Sequence, residues 1–195
     1  MKKLAVFFLV FALIAPWTSP ARAQEPQTGW SATLYQGVCN DRYFSEFFLS
    51  YPDWNGNFFT GLGVMNEFFV FWDYFTLGLE GQYVYHYGEQ FFHEGTLALV
   101  VRYYPRLNSE YVNLNFAVGE GASYATEKPE YEMEARDRTT KGINYLGFET
   151  EVGFPKLSRD ASLVVKLHHR SSVFKLIGNG TADSNFLTFG LRYRF

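Results

Sequence analysis

The stretch Lys166-Leu167-His168-His169-Arg170-Ser171-Ser172-Val173-Phe174 sets two histidines, an arginine and two serines into an otherwise apolar, aromatic-rich part of the chain. A histidine close to a serine can take the hydroxyl proton and make the oxygen a nucleophile. Two neighbouring histidines can instead share a metal ion, or simply line a polar interior. Which chemistry is open depends on where each side chain points, and that is decided by the element carrying them.

The end of the chain shows the element type most plainly. In Ser184–Phe195, Leu187, Phe189, Leu191, Tyr193 and Phe195 alternate with Phe186, Thr188, Gly190, Arg192 and Arg194. Strict period-two alternation marks a strand whose two faces meet different surroundings. The pattern recurs upstream. Leu97, Leu99, Val101 and Tyr103 oppose Glu94, Thr96, Ala98, Val100 and Arg102. Phe75, Leu77, Leu79, Tyr83 and Tyr85 oppose Thr76, Gly78, Glu80, Gln82 and His86. Val112, Leu114, Phe116 and Val118 oppose Asn113 and Asn115, and Leu146, Phe148, Val152 and Phe154 oppose Glu149 and Glu151. With 30–37, 58–68 and 161–173, eight strands are expected.

Short turns at 105–110 and 155–160 contrast with longer connections at 38–56, 119–141 and 174–184. Short turns at one end, long loops at the other and an even strand number are the plan of a transmembrane barrel. Strands of about ten residues suit a tilted crossing of the hydrocarbon layer, and a closed barrel satisfies its backbone polar groups in lipid. The fold expected is therefore an all-β, eight-stranded antiparallel transmembrane β-barrel occupying residues 24–195. Residues 1–23 read as a signal peptide: Lys2 and Lys3, an apolar run too short to span a bilayer, then an Ala-x-Ala ending at Ala23. Aromatic residues form 20% of the chain, which fits a strand-rich protein at an apolar interface, and the net charge of −3 is too small to point to nucleic acid. Cys39 is the only cysteine, which excludes an internal disulfide, and it reads as a loop residue.

The faces opposite the apolar ones carry Glu80, Glu94, Glu149 and Glu151 together with Arg102, Lys166, Arg170, Arg192 and Arg194. Charges of both signs are tolerable in a narrow barrel only if they pair, since burying an unpaired charge is costly. The interior is thus expected to be a polar plug, with no open pore.

Alternation then sorts the histidines. Leu163, Val165 and Leu167 lead by steps of two to His169 and Ser171, which face outward; Lys166, His168, Arg170 and Ser172 face inward. His168 and His169 point to opposite faces and cannot easily share an ion, so no metal and no cofactor is expected. Residues i and i+2 of a strand are about 6.6 Å apart along one face, so the imidazole can lean towards the hydroxyl. A third group must orient the imidazole. Outward parity on the last strand extends back from Leu187 to Asn185 and Asp183, and Asp183 is the candidate. A chain that enters from the periplasm places this strand end near the outer leaflet, where polar groups facing lipid are expensive unless they serve a purpose. The natural substrate there is an ester of the leaflet's own lipid, lipopolysaccharide in a Gram-negative bacterium.

At these residues the sequence resembles the lipid A 3-O-deacylase (PagL-type) family of eight-stranded outer-membrane esterases. The resemblance rests on the His169-Arg170-Ser171 pair of the penultimate strand and on an acid twelve positions later, Asp183. It implies catalytic roles for His169, Ser171 and Asp183, an oxyanion-hole role for Asn179, and lipid A of the outer membrane as substrate. The chain departs from the family in having aspartate where glutamate is usual, and Ser172-Val173-Phe174 where the family has Asn-x-Gly, so that a backbone oxyanion donor would come from Phe174. The alternative is a non-enzymatic barrel, structural or adhesive, acting through outer loops such as the charged 119–141 segment; acyl transfer to a second lipid would use the same three residues.

The barrel reading carries its own test. The protein should fractionate with outer membranes and show heat-modifiable gel mobility in mild detergent; recovery as a soluble monomer without detergent would overturn it.

Overall fold

The computed structural model describes residues 26–42, 44–47, 51–105, 109–132, 139–172, 177 and 183–195. The expected cleavage segment 1–23, Asn179 and Phe174 lie outside them. The strands are β1 (Gly29–Asn40), β2 (Trp54–Phe71), β3 (Phe75–Tyr87), β4 (Phe92–Tyr103), β5 (Asn113–Ala125), β6 (Gly142–Gly153), β7 (Ala161–Ser171) and β8 (Asp183–Arg194), with one short helix, α1 (Phe44–Phe47), after β1. Each strand pairs with its sequence neighbours, and β1 closes on β8 through Leu34↔Leu191 and Tyr35↔Gly190. The eight-stranded closed antiparallel barrel expected from the alternation is present.

Three strands are longer than their hydrophobic residues suggested. β1 reaches Asn40, so Cys39 is no loop residue: it is buried inside the barrel beside Tyr35, Phe59 and Phe186. β2 begins at Trp54 and runs to Phe71, with a bulge between Glu67 and Phe69. A bulge adds a residue to one strand and re-aims the side chains beyond it, and Phe68 and Phe69 are both exposed. β5 continues through Gly121-Ala122-Ser123-Tyr124-Ala125, a run too weakly apolar to be recognised by alternation. A Cβ at Gly121 would lie 1.9 Å from the Leu97 carbonyl oxygen, so the β4–β5 approach requires glycine there.

The outer surface is apolar around its middle, with Leu34, Leu62, Leu79, Leu97, Leu99, Val118, Leu163 and Leu191 all exposed. Aromatic residues rim both edges: Trp30, Trp72, Tyr103 and Tyr193 at the end with short turns, and Phe58, Tyr83, Tyr85 and Tyr124 at the end with long loops. An apolar band between aromatic girdles is the surface of a barrel set in a bilayer. Among the described residues no helix is long and apolar enough to cross a membrane, so the crossing is made by strands.

Inside, the paired-charge plug exists and is larger than the sequence indicated. Arg102 binds Glu67 at 3.1 Å and Glu149 and Glu151 at 2.8 Å each. Arg192 grips both oxygens of Glu149, at 2.5 and 2.9 Å, and Glu151 at 2.7 Å. Lys166 binds Glu80 at 2.6 Å, and Tyr35 donates to the same carboxylate at 2.8 Å. Towards the long loops, Glu94 takes His86 at 2.7 Å and His168 at 3.0 Å. Glu67 and Glu132 complete the set. Glu132 belongs to the loop between β5 and β6, expected to be solvated, yet it is fully buried and accepts Arg170 at 2.9 Å and Ser184 at 2.8 Å. Burial beside it pushes the neighbouring Tyr131 phenol well above its ordinary pKa, with Glu132 adding to the rise.

Removing one member strands the others. Arg192→Met should lower stability by about 3–5 kcal/mol by leaving Glu149 and Glu151 under-compensated, read as an earlier denaturant midpoint in detergent micelles. A midpoint within error of the parent would contradict the network's structural role.

Candidate active site

β7 sets the site because its two faces diverge at the adjacent histidines. Register fixes the neighbours: on the β8 side His169 pairs with Asn185 and Ser171 with Asp183, and on the β6 side His169 pairs with Leu146 and Ser171 with Asn144. Paired residues on adjacent strands share a face, with Cβ atoms about 4.5–5.5 Å apart. His169, Ser171, Asp183, Asn185 and Asn144 therefore form one outward-facing polar cluster at the long-loop end.

His168 lies on the other face. It binds Glu94 and packs edge-on against Tyr145 and Phe59, with ring centroids 4.9 and 5.1 Å away. It is part of the interior plug. Ser172 is likewise buried on the inward parity.

The third group is composite. His169 Nδ1 lies 2.8 Å from Asn185 Oδ1 and 3.4 Å from Asp183 Oδ1. Asn185 Nδ2 donates to the Arg42 carbonyl at 2.8 Å and to Asp183 Oδ1 at 3.2 Å. Those two acceptors fix the amide with its oxygen towards the imidazole. An oxygen acceptor at Nδ1 places the proton there and leaves Nε2 as the basic nitrogen. Sequence reasoning passed through Asn185 by parity without giving it a role. Parity gives it the outward face, but only the register of the folded strands sets it directly opposite His169.

The pair does not face lipid bare, as expected from parity alone. His169 and Ser171 are only 2% and 4% exposed. Phe44 of α1 covers the imidazole at a centroid distance of 4.6 Å and stacks on Phe148 at 5.7 Å. Its backbone N–H lies 3.5 Å from Asp183 Oδ2. Polar groups on a lipid-facing wall are costly, and Phe44, between β1 and β2, covers the ring. Among the described residues no hydrogen bond joins Ser171 Oγ to His169, and such contacts in unliganded sites are often open until substrate arrives.

No family model matches the chain, and no curated protein sequence matches it. Solved structures do. One, described as the outer membrane enzyme PagL, superposes with a TM-score of 0.61 at 12% identity, covering 85% of this chain and 99% of that one. Another, Neisserial surface protein A, gives a TM-score of 0.52 at 11% identity, covering 86% of this chain and 98% of that one. At such identities the likeness concerns architecture, and by that architecture the chain is an eight-stranded barrel of the outer-membrane type.

Proposed function

We propose that the protein is an outer-membrane esterase that hydrolyses an ester-linked acyl chain of lipid A. The observation carrying this reading is the outward imidazole tethered at Nδ1 by Asn185 and Asp183, with Ser171 two residues along on the same face. A tethered base beside a hydroxyl is the working part of serine hydrolases on unrelated folds. The similarity in fold to a structure described as an outer membrane enzyme is consistent with it. The membrane-facing wall, at the long-loop end, suits a substrate that resides in the outer leaflet.

In this reading Ser171 Oγ attacks the acyl carbonyl while its proton passes to His169 Nε2. The tetrahedral oxyanion requires nearby donors, the role proposed for Asn179 and for the backbone at Phe174. Collapse breaks the ester bond, and His169 returns the proton to the departing sugar oxygen. Water, deprotonated by the same imidazole, then frees the acyl chain from Ser171. Asp183 and Asn185 hold the ring and its tautomer throughout. No step calls for a metal or cofactor.

A second reading, a non-enzymatic barrel acting through its outer loops, draws on the Phe44 cover and the open Ser171–His169 contact. Mass spectrometry of lipid A from cells with and without the protein separates the two. Ser171→Ala should insert normally and leave the acyl pattern unmodified, while Ser172→Ala, inward beside Arg170, keeps deacylation. Loss of a nucleophile or base costs orders of magnitude in rate, so the contrast is all-or-none. Full activity in Ser171→Ala, or an unaltered pattern with the parent protein, would favour the second reading.

The two histidines should separate in the same assay. His169→Gln should fold and lose activity, whereas His168→Gln should lower the unfolding midpoint by disturbing Glu94. Asn185→Leu should slow turnover about a hundredfold by releasing the imidazole; an unchanged rate would leave the tethering role to Asp183 alone.

A further inference from the structure

Across β7 from Asp183, the partner of Ser171 is Asn144 of β6. Its outward side chain is 5% exposed. Nδ2 donates to Glu120 Oε1 of β5 at 3.4 Å, and the buried Oδ1 has no hydrogen-bond partner among the described residues. An unsatisfied buried carbonyl costs about 1–3 kcal/mol, and nothing in the described barrel wall compensates it. Glu120 also fixes the amide's sense. Turning the group over would set Oδ1 against a carboxylate oxygen, two acceptors facing each other. The edge of Asn144 directed away from β5 therefore offers an acceptor, which disqualifies it from stabilising an oxyanion and suits it to receive a donor.

We propose that Asn144 is a specificity-determining residue of the Ser171 site. Its Oδ1 accepts a hydrogen bond from a hydroxyl or amide N–H that lies next to the ester being cleaved. The inference rests on the esterase reading above. It distinguishes acyl esters flanked by a hydrogen-bond donor from those that carry none. A site with a buried acceptor rejects the analogue lacking the donor, because the acceptor is then left unpaired in the complex. Glu120 is a positioning residue that acts through the Asn144 amide.

Matched synthetic esters in detergent micelles test this with the full-length folded protein. One pair differs only in a hydroxyl on the acyl chain; the other differs only in an amide or an ester at the neighbouring sugar position. The parent should favour the donor-bearing member of at least one pair by about tenfold or more in kcat/KM, and the pair that responds identifies the donor. Asn144→Leu should lower kcat/KM on that member about tenfold more than on its donor-free analogue. Glu120→Gln, at an exposed position, lets the amide turn over and should reduce the same preference if Asn144→Leu does not fold. Equal rates on both members of both pairs in the parent, or an equal loss on both members in the variants, would overturn the inference while leaving the esterase intact. Hydrolysis of none of the esters would remove the esterase reading and this one together.

Discussion

Neutralisation of charge inside a closed, narrow wall is the constraint on which the rest of the structure depends. Arg102 of β4 and Arg192 of β8 both meet Glu149 and Glu151 of β6, a strand with which neither β4 nor β8 pairs. The ion pairs so tie together walls that hydrogen-bond only with their immediate neighbours. Each of these ions is almost fully buried, and each would be prohibitively placed without the others. The plug therefore fixes which face of every strand turns inward. A one-residue slip in any strand would send its charges to the lipid and its leucines to the plug.

That fixed parity creates the candidate site. Because Lys166 and Arg170 must point inward to Glu80 and Glu132, His169 and Ser171 must point outward. Polar groups held on the wrong side of a membrane wall by the demands of the interior would be a liability. Here they are gathered with Asn144, Asp183 and Asn185 into one cluster, and Phe44 covers the imidazole. The cluster lies where the wall meets the long loops, so the barrel supplies rigidity, while Phe44 supplies the cover over the ring and Arg42 a hydrogen bond. Rigid strands bearing the reacting groups, with loops completing the pocket, suit a site needing precise geometry.

How much of this could be read in the residues differs from element to element. The eight strands and their inward and outward faces come from period-two alternation, a local property that needs no partner to be recognised. The ends of β1, β2 and β5 do not, because Cys39-Asn40 and Gly121-Ala122-Ser123 have little apolar contrast; their pairing is set by neighbours in the sheet. Glu67 was obscured by the bulge beside it, and Glu132 by its place in a charged loop that gave no sign of burying it.

For the site, spacing along the strands is enough to put His169 and Ser171 on one face and to give Asp183 the parity to join them. The register between β7 and β8, which sets Asn185 opposite the imidazole and Asp183 opposite the serine, exists only in the folded barrel. So do the placement of Asn144 across β6 and of Phe44 over the ring, contacts between residues far apart in the chain for which no local pattern exists. Alternation is written in each strand separately. Register and cover arise only when closure of the barrel, and pairing of the charges within it, fix all the strands against one another.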